Sequence, residues 1–177
     1  PESEQNKLAV KRDDVREQLK RGELEDTLVE IEVEEFTPKT EIPGIAYKDV
    51  MKGLGFDSWT HYQFRGITSG DKDYMELMPE VLAEWDYMRE GVGKPFFPHV
   101  SIGWDNNPRY MTFRPDIVTG STPETFEYAL RKAKEYADTY NTTPLITINS
   151  WNEWTETSYL EPDNVFGYGY LEAVKRV

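Results

Sequence analysis

The feature that most constrains the fold is an alternation of strand patterns and helix patterns after residue 44. In chain order the predicted elements are a strand at 55–64, a helix at 73–90, a strand at 95–105, a helix at 121–140, a strand at 144–150 and a helix at 167–177. Alternating strands and helices form parallel sheets through right-handed crossovers. The sequence therefore predicts an α/β fold, either part of a (β/α)8 barrel or an open doubly wound sheet.

The two long helices are predicted from helical spacing of apolar residues and from signals at their ends. The expected buried stripes are Leu77, Val81, Trp85 and Met88 in the first helix, and Phe126, Leu130, Ala133 and Ala137 in the second. Gly91 is expected to stop the first helix. Ser121 and Glu124 fit a capping box for the second.

Chain length limits how much of a barrel can be present. A complete (β/α)8 barrel takes about 250 residues, and this chain has 177. We therefore expect the C-terminal half of a barrel at residues 45–177. Residues 1–40 form a charged appendage, foreign or mobile, with a helix at 7–20 and a strand at 27–36. No G-x-G-x-x-G run opens a helix, so a dinucleotide cofactor is not expected.

Composition excludes several partners. The formal net charge of −13 opposes nucleic acid, which needs clustered Lys and Arg, but is compatible with a neutral glycan. Without cysteine there is no disulfide or thiol nucleophile. No apolar run approaches the roughly 20 residues of a membrane span, and the opening PESEQNKLAV is not a signal peptide. The oligomeric state stays open.

The stretch PLITINSWNEWTETSYLEPD, residues 144–163, carries the acidic pair Glu153 and Glu156. Residues three apart on an extended strand point to opposite faces, so the two share a pocket only if the chain leaves the strand near Trp154. Glycoside hydrolysis uses one carboxyl to protonate the leaving oxygen and another as nucleophile or base. The alternative is that both are ordinary surface glutamates.

Other candidate binding residues lie late in the predicted strands or just after them. At the carboxyl ends of barrel strands they would border an active site. The candidates for binding a sugar are Trp59, His61, Tyr62, Trp104, Asp105, Asn152, Trp154 and Glu161. Tryptophan rings suit the apolar faces of sugars, with packing as the alternative.

The polar candidates each have a structural alternative. His61 and His99 lack a metal-binding spacing such as HExxH, so no metal is expected, and a core role competes with a substrate hydrogen bond. Asp105 either binds a sugar hydroxyl or caps the next turn. Glu161 either contacts substrate or shapes the loop before the last helix.

The final 28 residues, SWNEWTETSYLEPDNVFGYGYLEAVKRV, resemble the closing signature of the WbsX-like and glycoside hydrolase family 99-like barrel proteins, with their N-E-W-x-E and Y-L-E-P-D elements. GFDSWTHY and HVSIGWDNNPR fit the preceding strands of that family. The resemblance implies a (β/α)8 fold and action on glycans without a cofactor. It is also compatible with a secreted or periplasmic protein.

In the hydrolase branch the best-known substrates are α-mannosides, cleaved with retention through an anhydro-sugar intermediate. The resemblance then implies that Glu153 assists attack by the 2-hydroxyl and that Glu156 is the general acid/base. Thr155 and Thr157 depart from the His and Gly that family 99 hydrolases usually carry there. The WbsX-like branch is associated with surface-polysaccharide biosynthesis, so a non-hydrolytic carbohydrate-binding or biosynthetic protein, or an inactive fragment, are the alternatives.

A second, local resemblance covers residues 16–35. REQLKRGELEDTLVEIEVEE is similar to the charged intermediate region of HslU-type unfoldases. The chain has no GxxxxGK[ST] loop to hold ATP, so the resemblance implies no ATPase residue.

Overall fold

We describe the chain from a computed structural model that defines residue 50 and residues 52–68 and 70–177. These residues form a mixed structure of helices and short two-stranded sheets, which confirms the α/β class. The expectations for residues 1–40 and the resemblance at residues 16–35 lie outside the described part of the chain.

The strands are short, and most of them pair in parallel. They are β1 (Trp59–Thr60), β2 (Lys72–Asp73), β3 (Phe96–Phe97), β4 (His99–Ser101), β5 (Val118–Thr119), β6 (Thr147–Asn149), β7 (Asn152–Glu153) and β8 (Ser158–Tyr159). β1 pairs with β3, β2 with β5 and β4 with β6, all in parallel. β7 and β8 form an antiparallel hairpin.

Three parallel segments lie side by side, because β3 and β4 follow each other across Pro98 and pair on opposite sides. The Pro95 carbonyl accepts from the Trp59 amide at 2.9 Å, and the Pro98 carbonyl accepts from the Thr147 amide at 3.1 Å. Carbonyls three residues apart on a strand point to opposite sides, so β1 and β6 flank the central segment.

The three segments curve toward one face. Strands two positions apart in a flat sheet are separated by roughly 9.5 Å. Here the Thr60 hydroxyl of β1 and the Thr147 hydroxyl of β6 are only 2.6 Å apart. The sheet must therefore bend toward the face that carries these two side chains.

Helix α1 (Tyr74–Val92) follows β2 and closes its first turn with a capping box of Asp73 and Glu76. The predicted stop at Gly91 is wrong, because the helix continues to Val92 and ends at Gly93. Gly93 has a φ of 70°, a conformation that glycine adopts without steric cost.

Helix α2 (Pro123–Tyr140) has Thr122 as its N-cap, and Thr122 and Thr125 form the capping box. The predicted capping box of Ser121 and Glu124 is therefore wrong, displaced by one residue. Helix α3 (Gly169–Arg176) packs next to α2. None of the helices in residues 52–68 and 70–177 is long and apolar enough to cross a membrane.

The core confirms the helical stripes predicted from spacing. All eight predicted positions are buried: Leu77, Val81, Trp85, Met88, Phe126, Leu130, Ala133 and Ala137. The strand at 144–150 is less covered than its apolar sequence suggests. Ile146 and Ile148 are only half-buried, because they border an apolar groove between β6, α2 and α3.

Candidate active site

The chain leaves the extended conformation at Trp154. β7 ends at Glu153, a 3-10 turn occupies Trp154–Glu156, and β8 then runs back antiparallel to β7. Thr157, with a φ of 53°, completes the reversal. This break is the one that a shared pocket for Glu153 and Glu156 requires.

The two glutamates meet at a single guanidinium, that of Arg109. Its Nη2 lies 3.2 Å from Oε1 of Glu153, and its Nη1 lies 2.9 Å from Oε1 of Glu156. The third donor, Nε, reaches the Thr155 hydroxyl at 2.9 Å. Both carboxylates of the predicted pair are therefore held within reach of one positive group.

The two glutamates differ in their exposure. The Glu153 side chain is 35% exposed, whereas that of Glu156 is 8% exposed. Oε2 of Glu156 is buried and makes no hydrogen bond to any residue that the structure describes. A buried carboxylate oxygen without a partner is costly, and such groups in proteins are candidates for ligand contact.

Glu153 is held in its charged form by its neighbours. The Thr155 hydroxyl donates to Oε1 of Glu153 at 2.5 Å. The backbone amide of Glu153 donates to the Ser150 hydroxyl at 3.1 Å. The hydrogen bond from Thr155, together with the charge of Arg109, lowers the pKa of Glu153 despite some loss of hydration. Glu153 is thus ionised near neutral pH.

Arg109 comes from the turn after β4, and Asp105 shapes that turn. The Asp105 carboxylate accepts from the amide and the side-chain nitrogen of Asn107, at 2.9 and 2.7 Å. Of the two roles predicted for Asp105, the geometry shows the capping role. A contact of Asp105 with a sugar stays a prediction.

The turn after β4 is also bound to the glutamate turn through backbone groups. The Asp105 amide donates to the Glu156 carbonyl at 2.9 Å, and the Thr157 hydroxyl donates to the Asp105 carbonyl at 3.0 Å. At Gly103 the two segments approach so closely that a Cβ would lie 2.7 Å from the Thr157 carbonyl oxygen. The strand ends therefore form one packed unit.

An aromatic pair stands beside the glutamates. The rings of Trp154 and Tyr159 stack with centroids 3.8 Å apart, and the Trp154 indole nitrogen donates to Glu161 at 2.8 Å. Trp154 stays 45% exposed, and Asn152 is exposed on the same hairpin. Glu161 thus binds the indole of Trp154, and both of its predicted roles, substrate contact and loop shaping, stay predictions.

The remaining aromatic candidates are divided between surface and packing. Tyr62 is exposed, whereas Trp59 and Trp104 are half-buried. The Trp59 ring meets Phe56 edge to face at 5.2 Å. The indole nitrogens of Trp59 and Trp104 are buried and make no hydrogen bond within the described residues.

His61 faces the helix layer. Its Nε2 lies 3.5 Å from Oε1 of Glu84, a residue of α1 whose side chain is 1% exposed. Its ring also meets Phe96 edge to face. The geometry therefore shows a packing environment for His61 between the sheet and α1.

His99 belongs to the interior of the curved sheet. Its two ring nitrogens lie 3.0 Å from the hydroxyls of Thr147 and Ser101. Burial, together with the nearby His61, lowers the pKa of His99 to about 3. The ring is thus neutral in the folded chain. The described residues contain no group of three or more His, Asp or Glu placed to hold a metal ion.

Arg109 contacts both glutamates but was not predicted from the sequence. Its only sequence signal is a position just after a predicted strand, inside the run HVSIGWDNNPR. Arg114 lies in the same loop but stacks on Tyr110 at 3.7 Å. Arg114 lies outside that run, but the run itself does not indicate that Arg109 contacts the glutamates.

Comparison with known proteins identifies the family of the chain. The family model described as "Glycosyltransferase WbsX" matches residues 9–174. Two curated relatives, both named "Uncharacterized protein WxcX" and from two strains of Xanthomonas campestris pv. campestris, are 33% identical over 82 residues. That match covers 45% of this chain and 12% of each relative. No solved structure matches the chain.

Proposed function

Because the chain belongs to the WbsX glycosyltransferase family, we propose that it cleaves glycosidic bonds in a neutral glycan with Glu153 and Glu156. The observation that carries the proposal is the convergence of both carboxylates on Arg109. Surface glutamates gain little from such an arrangement, whereas glycosidases need two carboxyl groups at one bond.

The proposed roles follow the exposure of the two glutamates and the surroundings of Glu153. Glu153, whose pKa is lowered, takes the proton of the sugar 2-hydroxyl while that oxygen attacks C1. For this step Glu156 must carry a proton on Oε2, the oxygen that makes no hydrogen bond to Arg109. It donates that proton to the leaving oxygen as the C1–O bond breaks, which leaves an anhydro sugar. Water then opens this ring, giving one proton to Glu156 while O2 recovers its proton from Glu153.

The unpartnered Oε2 of Glu156 supports this assignment, since a glycosidic oxygen arriving there would supply the missing hydrogen bond. The best candidate substrate class is an α-mannoside, the class attacked by family 99-like hydrolases with this chemistry. Trp154, stacked on Tyr159, would carry the apolar face of a sugar, with Asn152 and Glu161 beside it. Trp59, Tyr62 and Trp104 are proposed as further contacts.

We also propose that this fold is part of a (β/α)8 barrel. The support is the arc of three parallel segments, curved strongly enough to bring Thr60 and Thr147 together. β6 has a partner on one side, namely β4. A further strand on its other edge would continue the curve, and a further helix would cover the apolar groove at Leu145, Ile146 and Ile148.

Glycosyl transfer is the second candidate, favoured by the description of the matching family. The same glutamates would serve it. A sugar hydroxyl, rather than water, would open the anhydro sugar and give its proton to Glu156. The products then differ in mass, because transfer joins the sugar to an acceptor.

The test compares the protein with three variants on a panel of α-mannosides and mixed bacterial polysaccharides, with and without an acceptor sugar. We expect Glu153→Gln and Glu156→Gln to lose product formation by about 100-fold or more, as followed by mass spectrometry. Glu90→Gln, on the exposed end of α1, is the matched control. Unchanged rates in Glu156→Gln, with the fold intact by circular dichroism, would refute the assignment.

A further inference from the structure

All three guanidinium nitrogens of Arg109 make contacts at the glutamate turn. Nε binds Thr155, Nη2 binds Glu153 and Nη1 binds Glu156. Thr155 in turn donates to the oxygen of Glu153 that Arg109 contacts. The result is a closed set of contacts in which a single side chain touches both carboxylates.

The loop that carries Arg109 is built to hold it in place. The side chain of Asn107 bridges the two ends of the loop. It donates to the Arg114 carbonyl at 2.9 Å and accepts from the Arg114 amide at 2.6 Å. Asp105 caps the same turn and joins it to the Glu156 carbonyl. Arg109 is thus anchored at its base, and its tip is anchored by three acceptors.

An ordinary surface ion pair would not need this arrangement. The Arg109 side chain is 41% exposed, and exposed pairs contribute little because water screens them and both side chains lose freedom. The pair with Glu156 is different, because that carboxylate is almost fully buried and Arg109 is its hydrogen-bonding cation. The planar fork of arginine can meet three acceptors at once, which the single ammonium of lysine cannot.

We propose that Arg109 is the positioning residue of the glutamate pair, fixing the separation of Glu153 and Glu156 and keeping Glu153 in its charged form. The catalytic meaning of this role rests on the proposed function. The coupling between Arg109 and the carboxylates does not, so the two can be tested separately.

The first experiment needs no substrate. The full chain is prepared with 13C-labelled glutamate side chains, and the carboxyl resonance of Glu153 is followed by NMR as the pH is changed. Loss of the Arg109 charge should move the Glu153 titration to higher pH, since a positive neighbour favours the charged carboxylate. Arg109→Met removes the charge, and Arg109→Gln serves the same comparison if the Met variant unfolds.

Two further variants make the test specific. Arg109→Lys keeps a positive charge but loses the fork, so it should restore the Glu153 titration only part of the way. Arg114→Met removes a positive charge from the same loop, one that stacks on Tyr110, and should leave the titration unchanged. The proposal is overturned if neutral Arg109 variants titrate like the wild type, or if Arg114→Met moves Glu153 equally.

A second experiment measures turnover on any glycan that the protein cleaves. A positioning role predicts that Arg109→Met changes kcat more than KM: the fold decrease in kcat should be at least ten times the fold increase in KM. Arg109→Lys should recover part of kcat. A positioning role also predicts that the acidic limb of the kcat/KM profile moves to higher pH. An unmoved acidic limb with an intact fold would overturn the proposal, whereas absence of cleavage by the wild type counts against the proposed function alone.

Discussion

Gly103 tests whether the strand end and the glutamate turn form one packed unit. A Cβ at this position would lie 2.7 Å from the Thr157 carbonyl oxygen and 3.3 Å from the Ser121 hydroxyl. The serine side chain can rotate away. The carbonyl oxygen cannot, because it belongs to the backbone next to Glu156, so Gly103→Ala must displace the turn.

The expected cost can be worked from this overlap. Inserting a methyl group into a packed site typically costs about 1–3 kcal/mol. For a chain of this size each ~1 kcal/mol lowers the midpoint of thermal unfolding by about 2–4 °C. We therefore expect Gly103→Ala to lower the midpoint by about 2–12 °C in a circular dichroism melt. Amide exchange at Thr157, whose N–H donates to the Trp154 carbonyl at 3.1 Å, should become faster.

The matched control is Gly66→Ala, because a Cβ at Gly66 meets no atom within 4 Å. It should leave stability unchanged or raise it by up to about 1 kcal/mol, since alanine lowers the entropy of the unfolded chain. If Gly103→Ala is as stable as Gly66→Ala and exchange at Thr157 is unchanged, the close packing of these two segments is refuted.

The other predictions concern buried polar groups beneath the site. Tyr74→Phe removes the hydroxyl that donates to the Ser101 carbonyl at 2.6 Å, and should lower the free energy of urea unfolding by about 1–2 kcal/mol; equal stability would contradict this. Burial lowers the pKa of His99 from 6.5 to about 3. Between these two pH values the His99 ring carries a proton in the unfolded chain but not in the folded chain. The free energy of unfolding should therefore fall by up to about 1.4 kcal/mol per pH unit as the pH drops below 6.5, and urea titrations of His99→Gln should show a shallower dependence.

The local residue pattern was sufficient to predict helices α1 and α2 and the faces that they bury. The stripe through Trp85 and the stripe through Phe126 are both buried as expected, because apolar spacing at helical period depends only on residues a few positions apart. The ends of the helices were less well predicted. α1 passes Gly91 and stops at Gly93, since an available glycine does not decide which residue adopts the left-handed conformation.

The break at Trp154 was named from the sequence as a condition for a shared pocket, but the antiparallel hairpin of β7 and β8 was not predicted. Two glutamates three residues apart share a pocket only if the strand ends between them, and the 3-10 turn at Trp154–Glu156 provides that end. The orientation of the candidates on other strands was not predictable. His61 faces Glu84 of α1, because the side of a strand that meets a helix depends on how the sheet curves.

The sequence by itself determined the α/β class, the positions of α1 and α2, and the location of the acidic pair at a strand end. These follow from composition and from spacing over a few residues. Only the tertiary structure decided that Arg109, 44 residues before Glu153, joins the two glutamates while Arg114 does not. The physical reason is that ion pairs between distant segments depend on where the parallel strands bring their carboxyl ends together, and that arrangement is a property of the packed sheet as a whole.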